Sequence, residues 1–207
     1  MSRLLYIESS PRKKRSASIQ VANAFIEIYK QAHPSDEVIY LDLWELEMPE
    51  FDGDVIDAKY AIMQSQSQTE AQRKAWNSVE ALIEQFKQAD KYLFSIPMWN
   101  FTIPYKLKHY IDLITQPSYT FTFSPEQGYQ GLVTGKPAAI VCARGGEYKA
   151  GSGAEFLDLQ TKYMEIFLKF IGFTEIKQLI VEPTAGQNKD KVLENAKNEA
   201  TKLASHF

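Results

Sequence analysis

The chain has 207 residues, 44% hydrophobic and 24% charged, ordinary globular values that exclude a disordered, collagen-like or low-complexity sequence. Lys plus Arg number 23 against 26 Asp plus Glu, a net charge of −3 that offers a polyanion no general attraction and argues against nucleic-acid binding. The opening MSRLLYIESS is too short in apolar residues for a signal peptide or membrane span, and one cysteine with three histidines leaves neither an internal disulfide nor a Cys-rich zinc cluster, so a cytoplasmic protein without a metal is expected.

Arg3 to Ile7 is an apolar run ending in Glu8-Ser9-Ser10-Pro11, the pattern of a buried strand running into a loop. From Ser16, the residues Val21, Phe25, Ile28 and Ala32 recur at helical spacing until Pro34, and Val38 to Leu43 reads as a second strand before an irregular stretch, Glu47 to Asp54. Gln68 to Gln88 carries Ala71, Ala75, Val79, Leu82, Ile83 and Phe86 on one helical face, with Ser67 and Thr69 as candidate caps. Asp90 to Pro97 is a third strand and Ile103 to Ile114 a helix with Pro104 in its first turn. Tyr119, Phe121 and Phe123 alternate as in a short ribbon that projects aromatics to one side. Pro137 to Cys142, Phe156 to Ile171 (stopped by Gly172), Ile176 to Glu182 and Asn188 to Ala204 then read as strand, helix, strand and helix. Strands separated by helices imply parallel pairing with helices on both faces of a doubly wound five-stranded sheet. Ligands of such sheets bind beyond the strands' carboxyl ends, which singles out the loops Glu8–Ser18, Pro97–Phe101 and Ala143–Gly153.

The first loop places Ser9, Ser10, Ser16 and Ser18 with Arg12, Lys13, Lys14 and Arg15 before a helix, which reads either as a monophosphate cradle or as a solvated turn with serine caps. It lacks GxGxxG, and the chain lacks a P-loop, which disfavours a dinucleotide turn and an ATP cradle. In the second loop Met98, Trp99 and Phe101 flank Asn100, either packing an aromatic ligand or plugging the core. Gly145, Gly146, Gly151 and Gly153 in the third let the backbone approach a flat ligand, unless the loop is merely flexible. A hydrolase triad of Ser9 or Ser95 with His109 and Asp112 is disfavoured without a GxSxG elbow, and Cys142, inside a strand, reads as an inert hydrophobe.

The segment Pro97-Met98-Trp99-Asn100-Phe101-Thr102-Ile103-Pro104, with Leu107-Lys108 and Tyr110-Ile111-Asp112, resembles the PMYNFxIPxxLKxYxD signature of the bacterial FMN-dependent NADH-azoreductases, also described as FMN-dependent NADH:quinone oxidoreductases. Thr120-Phe121, Gly131 to Lys136, Ala143 to Gly146 and Phe167 to Gly172 are similar to that family's TF, GLVTGK, SRGG and FLxFIG segments, in register from Leu5 to about Gly186. The resemblance implies a single flavodoxin-like FMN-binding domain over residues 1–207, in a homodimer with one FMN per subunit. It implies reduction of quinones and aromatic azo compounds by NADH or NADPH in ping-pong order, with the flavin and no catalytic side chain carrying the chemistry.

By the same resemblance the FMN phosphate falls to Ser10, Ser16, Ala17 and Ser18, the ring to Met98, Trp99, Asn100 and Phe101, and its other edge to Ala143, Arg144, Gly145 and Gly146. Phe123 and Phe167 correspond to aromatics on the substrate side. Trp99, Ala143 and Phe123 stand where tyrosine, serine and tyrosine are commoner, removing three hydroxyls. No ribose-reading motif separates NADH from NADPH, though Arg12 and Arg144 are cations that could attract a 2′-phosphate. The rival reading is a non-enzymatic flavodoxin-type electron carrier; the weak net charge and the aromatic stretch Tyr119 to Phe123 favour an enzyme that stacks its substrates.

Overall fold

A computed structural model describes residues 1–63, 66–67 and 69–207. Its main sheet has five parallel strands, β1 (Arg3–Glu8), β2 (Glu37–Asp42), β3 (Lys91–Pro97), β6 (Pro137–Ala143) and β7 (Glu175–Val181), in the order β2-β1-β3-β6-β7. The central strands are apolar on both faces because both faces are covered. Leu5, Ile7, Phe94 and Ile140 pack toward α3 (Glu70–Lys87), α4 (Tyr105–Ile114) and α5 (Leu159–Ile171). Their neighbours in the two-residue repeat, Leu4, Tyr6, Leu93 and Val141, pack toward α1 (Ala17–Ala32) and α6 (Lys189–Ala204). The register Ile7↔Phe94 and Phe94↔Ile140 aligns the carboxyl ends of β1, β3 and β6. The chain runs from β1 to β2 on one side and returns to β3 on the other, so strand order reverses at β1/β3.

One element is missing from the sequence reading and another completes it. The stretch read as irregular up to Asp54 gives way to a helix, α2 (Gly53–Met63), whose buried side chains among the described residues are Val55, Ala58 and Ala61, too little apolar mass to mark a period. The aromatic ribbon is a two-stranded antiparallel hairpin of β4 (Phe121–Ser124) and β5 (Gly128–Gly131), with Phe123 opposite Tyr129. Gly131 seats that hairpin on the end of α5, where a Cβ would lie 2.2 Å from the Gly172 nitrogen, and the neighbouring Val133 N–H donates to the Ile171 carbonyl at 2.8 Å. The expected helix start at Gln68 lies outside the described residues; Thr69 and Gln72 form a reciprocal capping box on α3.

Candidate functional site

Beyond β1 the chain makes one 3-10 turn, Lys13–Arg15, and enters α1. Ser16 is the N-cap residue but makes no side-chain cap bond; its Oγ lies 3.1 Å from Ser18 Oγ, and Ser10, Ser16 and Ser18 are all buried. Hydroxyls and uncapped first-turn N–H groups of a sixteen-residue helix thus share one protected entry, which suits a phosphate. Ser9 is spent on the fold, its N–H and hydroxyl both donating to the Ser95 carbonyl on β3. Lys13 turns inward, its Nζ bonding the Glu8 and Asp42 carboxylates. Burial raises the Glu8 pKa against the opposing pull of Lys13. Arg12 and Arg15, with Ala17, Gln20, Thr184 and Lys189, line a polar cavity of about 280 Å³ beside the start of α1.

Beyond β3, Trp99 and Thr102 exchange both backbone hydrogen bonds, at 2.9 and 3.0 Å, around a two-residue turn. The turn residues Asn100 and Phe101 have φ of +46° and +71°. Asparagine tolerates that region, but a bulky side chain there costs about 1–2 kcal/mol. Anchors on both sides hold the turn: the Met98 N–H donates to the Ala143 carbonyl at 2.8 Å and the Leu159 N–H to the Phe101 carbonyl at 3.1 Å. Strain of this kind, kept at a strand end where Phe101 is 42% exposed, makes this loop a candidate for function. Trp99 packs on Trp44 and Tyr105, and the Trp44 indole N–H donates to the Ser9 carbonyl at 3.1 Å, joining this loop to the first.

Beyond β6, Ala143 is buried and Gly145 and Gly146 are exposed, with the Tyr148 ring close to Gly146. Arg144 turns into the protein. Its guanidinium, with a side chain 2% exposed, lies 3.0 Å from Asp158 and 3.3 Å from Glu182, and its carbonyl accepts from Thr184, so it bolts the loop to α5 and to the end of β7. The expectation that Arg144 could attract a 2′-phosphate is therefore corrected: its charge is consumed inside the protein. Tyr148 covers this bolt with its ring 5.9 Å from the guanidinium, meets Phe101 edge-on at 6.4 Å, and donates its N–H to Glu182. Trp44, Tyr105 and Tyr148 were not singled out from sequence; their lone aromatic character carried no signal until the fold brought the loops together.

Of the larger cavities, one opens beside the second loop and another beside the hairpin. One of about 580 Å³ is lined by Trp99, Asn100, Tyr105, His109 and Tyr163, whose phenol burial pushes up to about 12. The other, about 760 Å³, is lined by Tyr60, Phe121, Phe123, Tyr129 and Phe170. Phe123 is 58% exposed there, whereas Phe167 is 5% exposed within the core and Phe170 is the α5 aromatic that meets the hairpin rings. No triad assembles: His109 Nε2 sits 2.9 Å from the Pro49 carbonyl, Asp112 pairs with Lys108, and Ser95 accepts from Tyr6. Burial pushes the Cys142 thiol up to about 12, leaving it inert. Among the described residues no group of three His, Cys, Asp or Glu side chains is placed to hold a metal ion.

A family model described as flavodoxin-like fold matches residues 2–204. The chain is 53% identical to an FMN-dependent NADH:quinone oxidoreductase of Desulfotalea psychrophila, over 100% of this chain and 98% of that protein. A crystal structure of azoreductase from Bacillus anthracis superposes with a TM-score of 0.93 at 32% identity, covering 100% of both chains. An FMN-dependent NADH-azoreductase from the same species, solved in complex with FMN, gives 0.91 at 28% identity over 99% of this chain and 98% of that one.

Proposed function

The chain belongs to the FMN-dependent NADH:quinone oxidoreductases of flavodoxin-like fold, and from that premise we propose how its three loops do the work of such an enzyme. It is an FMN-dependent oxidoreductase that uses NADH to reduce quinones and azo compounds. The residues present fit the cofactor. The uncapped entry to α1 with its buried serines suits the phosphate, and the strained aromatic turn suits a flat ring. Ser10, Ser16, Ala17 and Ser18 would hold the phosphate; Met98, Trp99, Asn100 and Phe101 one side of the ring; and Ala143, Gly145 and Gly146 the other, with Arg144 acting through the position of that loop.

When bound, FMN supplies two-electron redox chemistry, with donor and acceptor alternating in ping-pong order. The protein's part is placement. Asn100 offers a polar side chain at the ring edge, and the Gly145–Gly146 backbone offers N–H donors where negative charge develops. Phe101 and Trp99 orient flat substrates and exclude water, and Phe123 lines the acceptor side; Phe167, expected there from sequence, is buried in the core instead. A homodimer is the proposed working unit, and the exposed aromatic and aliphatic side chains of the hairpin and of α5, among them Phe123, Tyr129, Leu159 and Ile166, support it as surface for a second copy to cover. No helix among the described residues is long and apolar enough to cross a membrane, and a lone buried thiol suits the reducing cytoplasm.

The observation that carries this reading is the left-handed Asn100–Phe101 turn set between the serine-lined helix entry and the glycine pair. The purified protein is expected to be yellow, to bleach with anaerobic NADH, and to consume NADH steadily with a soluble quinone. Bleaching without steady turnover would favour the electron-carrier reading, and a protein that neither carries nor takes up FMN would overturn both.

A further inference from the structure

The four cations of the entry loop do not act alike. Arg12, Lys14 and Arg15 are exposed, whereas Lys13 reaches back across the sheet, its Nζ 3.3 Å from Glu8 Oε1 and bonded also to Asp42 Oδ2. Glu8 and Asp42 close β1 and β2 and are register partners, so two carboxylates stand side by side at the carboxyl edge of the sheet. Their side chains are only 17% and 29% exposed, and Asp42 is fixed further by accepting the Trp44 N–H at 2.9 Å. Glu8 is two residues from Ser10, and the Lys13 carbonyl accepts the Ser16 N–H at 2.8 Å, so the paired acids and the serine-lined helix entry belong to one small neighbourhood. Lys13 adopts a left-handed φ of +49°, unusual for a lysine, and in that conformation it both meets the acids and delivers Ser16 to the start of α1. Two half-buried carboxylates in the neighbourhood of the cradle would oppose a phosphate dianion if left unpaired.

We propose that Lys13 is a charge-compensating positioning residue of the phosphate subsite: its ammonium neutralises Glu8 and Asp42, and so lets this chain prefer the phosphorylated flavin over riboflavin. The proposal rests on the FMN reading above and adds to it the residue that makes the phosphate acceptable. Lys13 need not touch the phosphate, because the serine hydroxyls and helix N–H groups already face it.

The test titrates the full-length chain, freed of flavin, with FMN and separately with riboflavin, following flavin fluorescence. Lys13→Met is expected to weaken FMN by about tenfold or more and to leave riboflavin within about twofold. Lys13→Met combined with Glu8→Gln and Asp42→Asn is expected to regain most of the lost FMN affinity, since the repelling charges have gone with the one that masked them. A purely structural role would weaken both flavins together and would not be rescued. Wild-type FMN affinity in Lys13→Met, equal loss of both flavins, or no recovery in the triple variant overturns the inference. If Lys13→Met fails to fold, Glu8→Gln with Asp42→Asn decides: a freed ammonium should tighten FMN several-fold at low salt, and unchanged or weaker binding overturns the proposal. A wild-type chain that takes neither flavin overturns the FMN reading itself, whereas one that takes both equally well overturns only the role given to Lys13.

Discussion

Phe101 offers a test in which two ordinary effects compete and the structure decides the sign. At most positions alanine is more stable than glycine by about 0.4–1 kcal/mol, because glycine leaves the unfolded chain more freedom to lose. At φ +71° the order should invert, since any Cβ there meets the left-handed penalty of about 1–2 kcal/mol that glycine escapes. Phe101→Ala keeps this penalty and forfeits the edge contact with Tyr148, about 0.5–1.5 kcal/mol for an aromatic pair. Phe101→Gly forfeits the contact but sheds the penalty. The glycine variant is therefore expected to be more stable than the alanine variant by about 0.5–1 kcal/mol, roughly 1–4 °C in Tm for a chain of this size. Both should bind FMN more weakly for want of the ring, so stability and cofactor affinity move apart in the glycine variant. Thermal and urea unfolding of the two flavin-free proteins gives the comparison. An alanine variant as stable as the glycine one, or more so, would show that the turn carries no strain and would remove the reason for reading it as a functional loop.

Other consequences are as direct. Arg144→Met strands Asp158 and Glu182 in the interior and should cost about 3–5 kcal/mol, while the ratio of kcat/KM for NADPH over NADH in the surviving enzyme stays unchanged; a shift in that ratio would restore Arg144 as a phosphate reader. Gly131→Ala drives a methyl group into the backbone of Ile171 and Gly172 and should cost about 1–3 kcal/mol, a loss that a wild-type Tm would disprove. Burial raises the pKa of Tyr6, Tyr29, Tyr92 and Tyr110 above 10.0, and that of Cys142 from 9.0 to about 12. The folded state therefore retains protons that the unfolded chain releases, so stability is fully present below about pH 9 and declines as the pH rises through 9 to 12. Urea midpoints that stay level from pH 8 to pH 11 would contradict this.

The central strands were legible from sequence because they are buried on both faces: Leu4 to Ile7 and Tyr92 to Ile96 read as unbroken apolar runs that no amphipathic helix would show. The hairpin strand Gly128–Gly131 was not legible, because its two glycines carry no strand propensity and its place depends on pairing with β4 and close approach to Gly172. The family signature and the aromatic and serine content after β1 and β3 pointed to the same candidate loops, which the fold brings to one edge of the sheet. What joins those loops was hidden. Trp44 reaches Ser9 across 35 residues and Glu182 reaches Arg144 across 38, and a cation in a glycine-rich loop looks like a ligand contact until its acidic partners arrive from elsewhere in the fold.

Those hidden contacts explain how a strained loop can be kept at the mouth of a sheet. The Asn100–Phe101 turn is tied to β6 through the Ala143 carbonyl and to α5 through Leu159, while Tyr148 spans from Phe101 to the Arg144 bolt and Trp44 spans from Trp99 to Ser9. Each tie runs outward to a strand or helix whose own burial holds it, so the energy stored in the turn is drawn from the core rather than from ligand binding. A flat cofactor that meets walls already set loses little affinity to ordering them. By the same reasoning, Tyr148→Ala or Trp44→Ala should weaken flavin binding by loosening the turn, read as a raised Kd in a fluorescence titration with FMN.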